Sequence, residues 1–153
     1  MKKSNEDKLG KLVTGKVVIV CRNEKTGEVI TIGANLVVNK AYENLAKLLG
    51  KVSAYDSAIT KIAFGTGGDV APAITDVGIT GTVVTLAATA TYPVAYSVKF
   101  TATWDSVESS VADINEVGLF FDDNTLAARY TFGKMIKSVG WSWEIQWSLS
   151  YSV

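Results

Sequence analysis

The chain has 153 residues, with 15 Lys plus Arg against 15 Asp plus Glu, so its formal net charge is zero; 48% of the residues are hydrophobic and only 20% are charged. This length suits one domain that buries roughly two-thirds of its unfolded surface without covalent staples, and the lone Cys21 excludes an intramolecular disulfide framework. A neutral chain has no global field to draw it to nucleic acid or an anionic membrane, and no apolar run reaches transmembrane length, so neither is an expected partner.

Zero net charge combined with a mean hydropathy of +0.21 disfavours an isolated monomer and points to a homo-oligomer or a permanent docking surface. Residues 1–9 are charged and lack apolar periodicity, which predicts a flexible N-terminal arm ahead of one β domain over residues 10–153. The basic start is followed by no apolar stretch, so no secretory signal is expected. From Lys11 to Cys21 the chain is rich in Val and Ile. Asn23-Glu24-Lys25-Thr26-Gly27 then supplies turn chemistry before Glu28-Val29-Ile30-Thr31-Ile32, a hairpin signal with Gly27 at the positive-φ place.

Tyr42, Leu45, Ala46 and Leu49 recur at helical spacing, with Asn39 as the expected N-cap, Lys47 in the last turn and Gly50 beyond it. They predict one short helix over about residues 40–49 that packs on a sheet. Ile59 to Phe64 reads as a strand, closed by Gly65-Thr66-Gly67-Gly68-Asp69. This Gly-rich loop lacks the Gly-Lys-Ser/Thr ending of a phosphate loop, and Pro72 rather than a helix follows, so it reads as a flexible connection that crosses between sheets. Thr82 to Tyr92 alternates with Val84, Leu86, Ala88, Ala90 and Tyr92 on one face. After Pro93, Val94, Tyr96, Val98, Phe100, Ala102 and Trp104 define the inner face of a second long strand.

Ile114 to Phe121 and Thr125 to Phe132 flank Asp122-Asp123-Asn124 and form a second hairpin. A two-residue turn at Asp123-Asn124 places Val117, Leu119 and Phe121 on one face with Leu126, Ala128, Tyr130 and Phe132. It leaves Glu116 near Thr131 and diagonal to Arg129. A three-residue loop instead puts Glu116 opposite Tyr130 on the apolar face, so the first register is preferred, with a Glu116–Arg129 pair worth little if exposed. The end of the chain, Trp141 to Val153, is large and apolar at every odd position and polar at every even one. Trp141, Trp143 and Trp147, with Trp104, are therefore core candidates. Glu144, Gln146 and Ser148 lie on the opposite, polar face as interface candidates. About eight strands and one helix, without βαβ alternation, predict an antiparallel β-sandwich.

There is no His, so Ser-His-Asp and Cys-His triads cannot be built and zinc lacks ligands. Asp122, Asp123 and Asn124 are adjacent, which suits a turn better than a calcium loop. Glu116 and Glu144 are the strand-borne candidates for a catalytic carboxylate pair, but nothing in their spacing makes them converge. The reading is non-enzymatic, with no cofactor and no metal. A sugar platform on the Trp-rich strand requires exposed rings, whereas perfect alternation is the pattern of a core face.

Several segments together resemble a family of small structural proteins of tailed-bacteriophage virions. They are Asn35-Leu36-Val37-Val38-Asn39 before the short helix, Ile62-Ala63-Phe64-Gly65-Thr66-Gly67, Ile114-Asn115-Glu116-Val117-Gly118-Leu119-Phe120, Leu126-Ala127-Ala128-Arg129-Tyr130-Thr131-Phe132, Lys137, and the closing strand. The resemblance spans about residues 35–153 and lies in the combination of segments rather than in any single motif. It implies a non-enzymatic virion subunit made and assembled in the bacterial host cytoplasm. Such a subunit is a capsid decoration protein or, alternatively, a tail, baseplate or fibre component, the latter with carbohydrate binding as a lesser option. The implied partners are further copies of the chain, for example in a trimer, and the major capsid or tail proteins. Glu116 and Arg129 then belong to a structural hairpin, not to an active site.

Overall fold

The computed structural model describes residues 13–33, 36–50, 57–110 and 112–151; the expected arm, residues 1–9, lies outside them. In chain order the strands are β1 (Val13–Asn23), β2 (Val29–Gly33), β3 (Leu36–Val37), β4 (Ile59–Gly65), β5 (Val84–Ala87), β6 (Thr89–Thr91), β7 (Ser97–Trp104), β8 (Ile114–Phe121), β9 (Leu126–Met135) and β10 (Trp141–Tyr151), with helix α1 (Asn39–Leu49) between β3 and β4. They form two five-stranded antiparallel sheets, ordered β2-β1-β10-β7-β6 and β3-β9-β8-β4-β5. The fold is the expected mainly β sandwich with one short helix.

The period of two decides what faces inward. β10 lies at the centre of the first sheet, paired along its length with β1 and β7. Its Trp143, Ile145, Trp147 and Leu149 are buried beside Val17, Ile19 and Cys21 of β1 and Phe100, Ala102 and Trp104 of β7. From the second sheet Ile62, Phe64, Val117, Leu119, Phe121 and Ala128 complete the core. Phe64, Trp104 and Trp143 make three mutual ring contacts at 5.4–5.9 Å between centroids. Burying each such side chain contributes about 1.5–3 kcal/mol. Trp141, expected in this core, is only half-buried at its rim, because it pairs with Asn23 at the end of the β1 ladder, past the last β7 partner.

Four expectations need correction. The run from Thr82 to Tyr92 is not one strand: β5 pairs with β4 in the second sheet and β6 with β7 in the first, so the chain changes sheets at Ala88. Small alanines at 87 and 88 permit the bend, and this switch with short β3 brings the strands among the described residues to ten rather than eight. The next strand begins at Ser97, not Val94. Tyr96 has φ +63°, and Tyr92, Val94 and Tyr96 are exposed at the β6–β7 turn. Third, the connection 66–83 does not cross between sheets, because it joins the neighbouring strands β4 and β5.

The fourth concerns α1, whose N-cap is Val38, without a side-chain cap bond, while Asn39 is the first helical residue. Its inward stripe is Ala41, Asn44, Leu45 and Leu48, leaving Leu49 89% exposed. Tyr42 takes the boundary because its hydroxyl needs a polar partner, and it donates to the Val13 carbonyl at 3.1 Å. Gly27 sits in the first turn at φ +72°, as expected.

Candidate functional site

The outer face of the β8–β9 hairpin in the second sheet carries Glu116 and Arg129. Glu116 stands opposite Thr131 and Gly118 opposite Arg129, so Glu116 and Arg129 are diagonal neighbours. That register was expected, but the turn that produces it was not. The loop has three residues, Asp122 to Asn124, with Asn124 at φ +66° and the Phe121 N–H donating to the Thr125 carbonyl at 2.9 Å. A bulge at Ala127 then restores the polar register, since Phe120 faces Leu126 while Leu119 faces Ala128. The bulged carbonyl of Ala127 accepts from the Val38 N–H at 3.0 Å.

Residues 66–83 form a strap over this face. One Glu116 oxygen accepts the Arg129 Nε–H at 2.8 Å, and the other accepts the backbone N–H groups of Gly67 at 2.8 Å and Thr80 at 2.7 Å. Arg129 donates through Nη1 to Asp76 at 2.9 Å and through Nη2 to the carbonyls of Gly67 and Val70, both at 3.0 Å. Asn115 adds a second clasp, accepting the Gly68 N–H at 2.7 Å and donating to Asp69 at 3.1 Å. Gly68 must lack a side chain, because a Cβ there would collide with the Asn115 backbone.

The pair is not the exposed contact considered from sequence: the Glu116 side chain is 0% and the Arg129 side chain 6% exposed. Burial alone lowers the Arg129 pKa, but the hydrogen bonds and charges of Asp76 and Glu116 outweigh it and hold the guanidinium above its ordinary value. Asp76 feels burial in the opposite direction, and the Ala73 N–H with the Arg129 guanidinium pull its carboxyl below the usual range. Chemically, the Gly-rich loop is an anion nest whose anion is the protein's own Glu116 carboxylate. Sequence reading missed Asp76, 53 residues from Arg129. The Gly67-Gly68 pair was the available sign that backbone approaches something closely here.

Glu144, Gln146 and Ser148 lie on the outer face of the other sheet, beside Thr103, Thr101 and Lys99 of β7. Gln146 donates to Glu144. Glu116 and Glu144 therefore lie on outer faces of different sheets, and the structure does not bring the two candidate carboxylates together. Three of the four Trp residues are buried: Trp104 at 3%, Trp143 at 2% and Trp147 at 0% exposure. Trp104 donates from Nε1 to Glu108 at 3.0 Å and carries the Lys137 ammonium 5.3 Å above its ring. Lys137 also donates to the carbonyls of Asp105 and Glu108, and burial lowers its pKa against the pull of those two acidic residues. It fastens the 105–110 loop over the end of the core.

A mainly apolar cavity of about 590 Å³ opens at the opposite end, between Leu45 and Leu48 of α1, Phe100 and Leu149 of the first sheet, and Tyr92 and Tyr96 of the β6–β7 turn. Among the described residues no group of His, Cys, Asp or Glu is placed to hold a metal ion, and no helix is long and apolar enough to cross a membrane. No family model, no curated protein and no solved structure matches the chain.

Proposed function

We propose that the chain is a non-enzymatic structural subunit of a tailed-bacteriophage virion, a capsid decoration protein that docks permanently on the particle. The observation that carries this reading joins the sequence resemblance to the topology. Four of its segments, far apart in the chain at 36–37, 62–65, 114–120 and 126–132, fall on β3, β4, β8 and β9, adjacent strands of one sheet, while the closing strand is β10 at the centre of the other. The four form one structural unit, whose Asn115, Glu116 and Arg129 hold the strap. The wide outer face of the first sheet, with Ser142, Glu144, Gln146, Ser148 and Ser150 flanked by the threonines of β7, is the proposed contact with the particle. A tail, baseplate or fibre position is the alternative within the same class.

The test is recovery of the chain in gradient-purified particles. Wild-type protein is expected at many copies per particle. Ser148→Arg, which puts a third cation beside Lys16 and Lys99, is expected to lower occupancy at least tenfold while the two like-charge pairs, at about 1 kcal/mol together, lower the melting temperature by only about 2–4 °C and leave the chain folded. Absence of the wild-type chain from the particles overturns the reading, and undiminished occupancy of the variant shows that this face is only wet surface.

A further inference from the structure

The first sheet ends on β2, and among the described residues nothing pairs with its outer edge. That edge reads Val29-Ile30-Thr31-Ile32-Gly33, with no charge and no proline. Val29 is 49% and Ile30 40% exposed. A β-branched edge strand without Lys, Pro or an internal bulge is a template for another strand, and soluble chains ordinarily blunt such edges. Beside it, Ile30, Met135, Ile136 and Trp141 line a cleft of about 240 Å³ between the sheets, with Ile136 60% exposed. Unpaired backbone and unburied apolar side chains thus meet at one place.

We propose that β2 pairs antiparallel with β2 of a second copy of this chain, about a two-fold axis at Thr31, to make one continuous ten-stranded sheet. The ladder direction fixes the register. The Asn23 N–H donates to the Glu28 carbonyl at 2.8 Å, whereas the Glu24 N–H donates across to Gly140 on the β10 side. By the alternation of an antiparallel ladder, residues 28, 30 and 32 turn their backbone groups toward β1, and Val29, Thr31 and Gly33 turn theirs outward. With Thr31 opposite Thr31 and Val29 opposite Gly33, every outward N–H and C=O finds a partner, and no like charges face each other. The strand is self-complementary, as a two-fold interface requires. Hydrogen bonds over five residues are a small interface, so burial of Ile30 and Ile136 is part of the association.

This names the self-interface of the proposed virion subunit but does not depend on where the subunit docks. Sedimentation of the full chain tests it. The Thr31 N–H points away from β1, so Thr31→Pro removes an intermolecular donor without touching the β1–β2 ladder. Wild type is expected to sediment as a dimer. Thr31→Pro should weaken dimerisation at least about 30-fold, with unchanged circular dichroism, and Thr31→Val should remain dimeric. A monomeric wild type overturns the proposal. An oligomer that survives Thr31→Pro also overturns it, while leaving an oligomeric virion subunit standing.

Discussion

Arg129 illustrates how a residue's value depends on what it leaves behind. Its guanidinium joins two carboxylates and two carbonyls under the strap. Arg129→Met would strand Glu116, which is fully buried, so urea denaturation is expected to show a loss of about 3–5 kcal/mol. A loss below about 1 kcal/mol would mean that water reaches the carboxylate and that the clasp is looser than drawn. The pairing was legible in the sequence because Glu116 and Arg129 fall out of phase with the apolar positions of their strands. Its burial was not legible, because the covering residues, Gly67, Asp76 and Thr80, sit in a stretch with neither period nor charge pattern. Cys21, in the Val- and Ile-rich run of β1, is a buried apolar position, and burial raises its thiol to a pKa of about 11.

At the scale of elements, the strap is the segment whose attachment depends on pH. Asp76 titrates below an ordinary carboxyl, so its contribution is fully present above the unfolded value, near pH 4, and is lost as pH falls through the lower folded value. Hydrogen exchange, corrected for intrinsic rates, is expected to show protection of the Gly67 and Thr80 amides constant from pH 7 to 5. It should fall below about pH 4, before the amides of β10 lose theirs. Simultaneous loss in both places would show that the strap has no separate acid response. The strands themselves were legible to different degrees. β10, β8 and the β1–β2 hairpin show their period and turn residues plainly. The division between β5 and β6 does not show, because alternation marks an inward face without saying which sheet owns it. The bulge at Ala127 was hidden for a similar reason: it cancels the extra loop residue, so the polar register looks like that of a shorter turn.

At the scale of the whole molecule, the two sheets divide their outer faces. The second sheet covers its own with the strap. The first leaves a broad Ser- and Thr-rich face and, among the described residues, an unpaired edge at β2, which are the surfaces proposed to meet the particle and a second copy. The Trp residues that favoured a sugar platform face inward, apart from half-buried Trp141. The proposed class of function rests on the combined segments alone, since a sandwich by itself carries no activity. The most direct test is gold-conjugated antibody against this chain applied to intact particles. The account predicts gold distributed over the heads. Gold confined to the tails would contradict the decoration role, and particles bare of gold would contradict a virion subunit altogether.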